Sequence, residues 1–434
     1  MSRHEEWVAR DAAVVWHGFT QMAAYARNRP VIVERADGHD VVDVDGRRYL
    51  DAISSLWVTT LGHRVPELDQ AVRDQLDRVA HTTLLGNGNV AAIELAEALA
   101  AVVPVDDPHV LFASDGAAAV EQALKIAFQS WANLGVPGRT RYLALGDAYH
   151  GDTIGSLSLG AGGFGTDLFD PLRFPVVRAP GYAEPRWADA AVALVEAHAR
   201  ELAAVVVEPL VQGAAGMLVA EPGDVRRLGD ACRARDVLLV CDEVATGFGR
   251  TGTLFASEQC GLRPDLLCLG KGLTGGYLPM AATVASRRVY DAFLGDDLGP
   301  RTLYHGHSYG GNALAAAVAR RHLGLLAERD VLANVRARGE ELGALLGARL
   351  APRPAVREVR RAGLMTGIEL APPRSGLRWG RRVTRAMVDA GVLVRPLGDV
   401  VVLMPPLDVT SAELARIVDA LDDAVARVAA EDGA

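Results

Sequence analysis

Two residues carry the clearest chemistry in this sequence. Asp242 closes the apolar run Val237–Cys241 and opens the stretch Glu243-Val244-Ala245-Thr246-Gly247-Phe248-Gly249-Arg250. Lys271 follows the apolar run Leu266–Leu269 and sits between Gly270 and Gly272. Each run reads as a buried strand, so each polar residue falls at a strand end, where the binding edge of a parallel sheet lies. The two are about 30 residues apart, the length of one βαβ unit, so neighbouring strands could present an acid and an amine to one ligand.

Pyridoxal phosphate needs that pair. A lysine amine condenses with its aldehyde, and an acid keeps the ring nitrogen protonated so that the ring draws in electrons. The amine must also shed its proton, which partial burial beside a cation promotes. A lone lysine at a strand end reads more simply as a solvated surface residue; here the flanking glycines and the nearby acid tip the balance. The cofactor also needs an anion site. After the run His109–Phe112 comes Ala113-Ser114-Asp115-Gly116-Ala117, opening a helix. Gly116 and Ala117 can offer backbone N–H groups at that helix start, although Ser114 or Asp115 acting as a plain helix cap explains the same letters. Tyr149, in Tyr149-His150-Gly151-Asp152-Thr153 after the run Tyr142–Leu145, could lie over a flat ring or simply pack in the core. Gly160-Ala161-Gly162-Gly163-Phe164-Gly165 matches GxGxxG, but Pro171 and Pro175 follow too soon for a dinucleotide-binding helix. It reads as a mobile loop.

The elements that position these residues alternate. The apolar runs His109–Phe112, Tyr142–Leu145, Ala204–Val207, Val237–Cys241, Leu266–Leu269 and Ala282–Ala285 are separated by helical patterns, one of them with Val120, Leu124, Ala127 and Trp131 on a single face. This predicts an α/β fold with a mostly parallel sheet covered on both sides. Val31–Arg35, Val41–Val44 and Arg48–Asp51, split by Asp37-Gly38 and Asp45-Gly46, read as an antiparallel meander. Near the other end Val400–Met404 reads as a strand, and Thr410-Ser411-Ala412-Glu413 as a capping box that opens a helix with Leu414, Ile417, Leu421, Ala424 and Val428 inward. With 434 residues, half of them hydrophobic, the chain has material for more than one core. The expected division is a large domain over 63–324 and a smaller α/β domain built from 1–62 and 325–434. The net charge of −9 argues against a nucleic-acid partner. Cys232, Cys241, Cys260 and Cys268 form no metal or redox motif and read as reduced core thiols. The first ten residues carry acids and no apolar segment, and Leu202–Ala220 is broken by Glu208, Pro209 and Gln212, so neither a signal peptide nor a membrane span is expected and the cytoplasm is the expected place.

Together, Asp242–Gly252 and Leu269-Gly270-Lys271-Gly272-Leu273-Thr274-Gly275-Gly276 resemble the signature and lysine segments of class III aminotransferases, and the resemblance runs from about Trp16 to about Leu407. It implies the type I pyridoxal-phosphate fold and a homodimer with shared active sites. Within the family, Phe19-Thr20-Gln21-Met22, His81–Gly86, Tyr149–Gly155, Val211–Met217 and Arg395-Pro396-Leu397-Gly398-Asp399 are similar to the branch that works in biotin synthesis, moving an amino group onto 8-amino-7-oxononanoate. By this resemblance Lys271 is the Schiff-base lysine and Asp242 the partner of the ring nitrogen. Tyr149 stacks on the ring. Gly116 and Ala117 hold the phosphate, joined by Ser308 from the second subunit. Arg395 binds the substrate carboxylate, and Trp57, Phe19, Tyr149 and Gly306 line the substrate pocket.

Three positions depart from the family pattern. Asp115-Gly116-Ala117 lacks the hydroxyl residue that many relatives carry beside the phosphate. Leu56 precedes Trp57 where enzymes using S-adenosylmethionine tend to have a second tryptophan. His305-Gly306-His307-Ser308-Tyr309 and Gly275-Gly276-Tyr277-Leu278-Pro279 resemble the branch that uses L-lysine as donor. The donor is therefore S-adenosylmethionine or L-lysine, with the motifs leaning to lysine. The rival functions are a general ω-amine or diamine transaminase with a keto-acid acceptor, and a pyridoxal-phosphate aminomutase.

Overall fold

The computed structural model describes residues 2–162 and 165–433. Seven strands form the central sheet, in the order His109–Ala113, Ala281–Ala285, Leu266–Leu269, Leu238–Asp242, Leu202–Val207, Arg141–Leu145, Val177–Ala179. All pairings are parallel except those of Ala281–Ala285, which runs against both its neighbours. Only the single 3-10 turn Lys271–Thr274 separates that strand from Leu266–Leu269, and without a crossover helix the chain returns antiparallel. The α/β expectation holds, with one reversed strand that hydrophobic runs cannot signal. Strand Leu202–Val207 is buried along its whole length, as a sheet covered on both faces requires.

The helix Gly116–Asn133 covers one face, burying Val120, Leu124, Ala127 and Trp131 as expected. Strands Leu238–Asp242 and Leu266–Leu269 are direct neighbours, with Asp242 opposite Cys268. The connection between them holds only one short helix, Ala256–Gln259. Most of what would be a crossover helix is instead the irregular chain that follows Asp242.

The two chain ends meet. Val33–Asp37, Asp40–Asp43 and Arg48–Asp51 form the expected antiparallel meander, and Val392–Leu393 joins its edge in parallel. A second sheet joins Val356–Ala362, Met365–Leu370, Val400–Leu403 and Arg395–Leu397. The capping box is present: Thr410 Oγ1 accepts from Glu413 N, Glu413 accepts from Thr410 N at 2.8 Å, and helix Ser411–Glu431 buries Leu414, Ile417, Leu421, Ala424 and Val428. Arg250 ties the ends to the centre. Its buried guanidinium donates to Thr59 O at 3.2 Å and to Pro405 O. Helix Arg3–Val14, capped by Ser2 and Glu5, went unread in the sequence. The four cysteines are free and buried, and no helix among the described residues is long and apolar enough to cross a membrane. In the GxGxxG stretch, Gly160 ends the helix Ile154–Leu159 and a 3-10 segment Thr166–Leu172 follows; Gly163 and Phe164 lie outside the described residues.

Candidate active site

At the carboxyl ends of the central strands lies a cavity of about 460 Å³ whose lining includes Trp57, Gly116, Ala117, Tyr149, Asp242 and Lys271. Six of the residues singled out in the sequence thus converge on one space, although more than two hundred residues separate the first from the last. Lys271 keeps part of its surface open to the cavity. Its amine is nonetheless deep among protein atoms, and this desolvation pulls its pKa down, opposed by the charges of Asp242 and Glu208. Nζ stands 5.2 Å from the Trp57 ring centroid. Lys271 holds a left-handed backbone, φ 41°, a strained conformation for a side chain of this size. Gly270 beside it packs closely, since a Cβ there would stand 3.3 Å from Val244 Cγ1 and 3.5 Å from Gly116 Cα.

The stretch after Asp242 divides its side chains between site and scaffold. Asp242 ends its strand facing the cavity. Glu243 turns the other way, into the core, and accepts from Thr246 Oγ1 at 2.6 Å, Ala256 N at 3.0 Å and Ser257 N at 2.7 Å. A buried carboxylate with three donors pins the loop, and Phe248 and Arg250 bury beyond it.

Opposite, Asp115 caps helix Gly116–Asn133 by accepting from Ala118 N at 2.9 Å. The plain cap reading holds, and with Asp115 serving Ala118, the first-turn N–H groups of Gly116 and Ala117 have no carbonyl a turn behind them where these two residues line the cavity. A Cβ on Gly116 would lie 2.5 Å from Val244 Cγ1, so only glycine lets the helix start come this close.

Three lining residues were missed in the sequence. His150 Nδ1 lies 2.7 Å from Asp242 Oδ2, while its Nε2 is buried without a partner among the described residues. Glu208 follows strand Leu202–Val207, and its carboxylate accepts from Tyr149 N at 3.1 Å and Gly213 N at 3.2 Å. Burial pushes it up to about 7, with His150 pulling down and Asp242 pushing up. Asp152 accepts from the Tyr149 hydroxyl at 3.0 Å. Burial, then Asp152, holds the Tyr149 hydroxyl protonated well above its usual range.

A second cavity of about 330 Å³ adjoins the first through Tyr149, Gly151 and Ala214, and Phe19, Leu157 and Leu397 line it. Arg395 begins the strand that ends at Leu397; it is exposed and has no ion pair among the described residues. Ser308 and Gly306 are exposed and line neither cavity of this subunit; the Ser308 carbonyl pairs with His81 Nε2 at 2.8 Å.

Against known proteins, the profile of the class III aminotransferases ("Aminotransferase class-III") matches residues 21–425. The chain belongs to this family. As a class III aminotransferase it depends on pyridoxal 5'-phosphate. It is 50% identical over 440 residues to an adenosylmethionine-8-amino-7-oxononanoate aminotransferase of Nitratidesulfovibrio vulgaris, covering 96% of this chain and 81% of that protein. The crystal structure of the enzyme of that name from Methanocaldococcus jannaschii matches with a TM-score of 0.93 at 38% identity, covering 98% of each chain. An amine transaminase from an uncultivated Pseudomonas species, solved in its pyridoxal-phosphate-bound form, matches with a TM-score of 0.89 at 34% identity over 96% of this chain and 99% of that one.

The aminotransferase cavity fits its cofactor on its own terms. It offers an amine of lowered pKa, a buried carboxylate, first-turn N–H groups at a helix start, and two buried polar atoms without partners among the described residues, His150 Nε2 and Trp57 Nε1.

Proposed function

We propose that this aminotransferase moves an amino group onto the ketone of 8-amino-7-oxononanoate, giving 7,8-diaminononanoate for biotin synthesis. The second cavity carries the reading. It is walled by Phe19, Leu157 and Leu397, and the strand that brings Leu397 there starts at Arg395, which has no ion pair among the described residues. A largely apolar channel with an arginine two residues along the strand from its wall suits an alkyl chain with a terminal carboxylate, because the guanidinium fork matches a carboxylate in two parallel hydrogen bonds. The names borne by the full-length relatives agree with this reading.

The residue roles follow. Bound pyridoxal phosphate supplies an aldehyde carbon that carries the amino group and a ring that draws electrons from the breaking C–H bond. Lys271 would hold the cofactor by its amine and, with the donor bound, would move the proton from the donor's amino-bearing carbon onto the cofactor as general base and acid, and by the reverse transfer place one on the acceptor's carbonyl carbon. Asp242 keeps the ring nitrogen protonated, oriented by His150. Gly116 and Ala117 N–H groups hold the phosphate. Tyr149, fixed by Asp152 and Glu208, lies against the ring, and Trp57 with Phe19 excludes water from the chain site.

Two subunits complete the site in this reading. Ser308 and Gly306 lie off the cavity of their own subunit and are free to reach a partner's, with Ser308 on the phosphate and Gly306 on the substrate. The donor is S-adenosylmethionine or L-lysine, and the single Trp57 and the His307-Ser308-Tyr309 form favour lysine. The reading also takes 1–62 with 325–434 as the small domain and 63–324 as the cofactor-binding one, supported by the pairing of Leu50 with Val392 across the ends. The four free, buried thiols fit a reducing compartment such as the cytoplasm.

The test is a pair of half-reactions. Enzyme carrying pyridoxal phosphate is mixed with L-lysine or with S-adenosylmethionine, and conversion to the amine form is followed by absorbance; 8-amino-7-oxononanoate should then restore the aldehyde form. Restoration only by pyruvate or 2-oxoglutarate, after a simple diamine donor, would move the enzyme to the general amine transaminases, which the Pseudomonas structure also resembles.

A further inference from the structure

We propose that Glu208 is the recognition point for a second, non-reacting ammonium group that the substrate carries on the carbon next to the reacting one. The inference deepens the reading above, in which the acceptor is a vicinal amino ketone and the product a vicinal diamine.

Four carboxylates line the cofactor cavity, and three are committed. Asp242 takes His150 Nδ1 and Val244 N, Asp115 caps its helix and takes Ser114 Oγ, and Asp152 takes the Tyr149 hydroxyl. Glu208 differs from all of them. It is 6% exposed, yet its carboxylate bonds only to backbone N–H groups, those of Tyr149 and Gly213. Among the described residues it forms no ion pair with Lys or Arg. Two N–H donors leave lone pairs open on a carboxylate that can accept about four hydrogen bonds.

Its position suits the task. It is near enough to Lys271 for its charge to act on the amine. One of its donors is the backbone of Tyr149, and the other is Gly213, whose missing Cβ would sit 3.4 Å from the Trp57 ring. A substrate held between Tyr149 and Trp57 with its reacting carbon at Lys271 therefore brings the neighbouring carbon beside Glu208. An ammonium entering there leaves water, and an unpaired charge so buried is costly; a carboxylate already in place offsets that cost. The same ammonium also fills the lone pairs that Tyr149 N and Gly213 N leave open on Glu208.

The experiment compares matched pairs of substrates in wild type and Glu208→Gln holoenzyme. The acceptors are 8-amino-7-oxononanoate and 7-oxononanoate, which lacks only the neighbouring amine. The donors are 1,2-diaminopropane and 2-aminopropane. Wild type should favour the amine-bearing member of each pair, and Glu208→Gln should raise KM or the half-saturating concentration for that member about 10- to 100-fold more than for its partner. A merely structural Glu208 would move both members alike, and that result, or a wild type indifferent to the second amine, overturns the proposal. If Glu208→Gln does not fold, Glu208→Asp keeps the charge one methylene back and should show the same selective loss to a smaller degree; equal losses would again overturn it. Should wild type reject both nonanoates, the proposed acceptor falls, while the diamine pair still decides the role of Glu208.

Discussion

His150 Nδ1 stands 2.7 Å from Asp242 Oδ2, with both side chains shut off from solvent. Asp242 also accepts from Val244 N at 3.0 Å, so its carboxylate is held from two sides. In its proposed role of facing one ring nitrogen, a carboxylate gains from being held, since its free rotation is lost before the cofactor arrives. Replacing His150 with Phe removes one of these holds. Cofactor affinity of the apo-protein should fall by about 10- to 100-fold, the worth of a charge-assisted hydrogen bond in a dry site. Titration of apo-protein with pyridoxal phosphate, followed by fluorescence, measures it; unchanged affinity would mean that Val244 N suffices.

Lys271→Ala should abolish the visible absorbance of the tethered cofactor and cut turnover by roughly a thousandfold or more, since tether and general base vanish together. The spectrum and a steady-state assay read the two effects. Full turnover would remove Lys271 from the chemistry.

Arg395 begins an edge strand and has no ion pair among the described residues. Arg395→Ala should raise KM for the acceptor by about 10- to 100-fold with kcat nearly kept, because the carboxylate end is bound equally in ground and transition states. An acceptor whose carboxylate is replaced by a methyl group should be indifferent to the change. An unchanged KM for the acid would place its carboxylate elsewhere.

If Ser308 serves the partner's phosphate site, two dead variants should revive each other. Lys271→Ala and Ser308→Asp subunits, unfolded together and refolded as a mixture, should recover about a quarter of wild-type activity, from the one intact site in each mixed dimer. No recovery, with mixed dimers present by mass, would argue for sites complete within one chain.

His39 bridges the chain ends, with Nε2 3.0 Å from Asp408 and Nδ1 2.9 Å from Glu413. Burial alone would lower its pKa, but the two carboxylates outweigh it and raise it from 6.5 to about 9. A raised folded-state pKa means that the stabilisation is complete below about 6.5 and disappears as pH climbs through about 9. His39→Gln should thus cost roughly 1–3 kcal/mol at pH 6 and little at pH 10. Thermal melts at the two pH values check this, and equal losses would mean that packing rather than charge holds the ends together.

Much of the site was legible in the sequence because its residues sit at strand ends. Asp242, Lys271 and Tyr149 each follow an apolar run, and a polar residue there falls on the sheet's binding edge whatever the strand order. Glu208 carries the same signal, closing Leu202–Val207, and was read only as an interruption of an apolar stretch. His150 had no such mark. Its neighbour Tyr149 drew the attention, and a histidine beside a tyrosine says nothing until a carboxylate from a strand about ninety residues later arrives 2.7 Å away.

The sequence by itself determined the local elements, the chemistry at the strand ends and the class of cofactor, because hydrophobic period, caps and strand-end residues are properties of contiguous chain. Only the tertiary structure decided the rest. The reversal of Ala281–Ala285 and the neighbouring of Asp242 with Cys268 depend on which strands pair, and pairing is a long-range choice. The placing of Leu397, two residues after Arg395, on the wall of a second cavity, and of Ser308 outside both cavities, depends on how distant segments of the chain fold back on the centre. So does the setting of Glu208, since a buried carboxylate is without a Lys or Arg ion pair among the described residues only by virtue of everything packed around it.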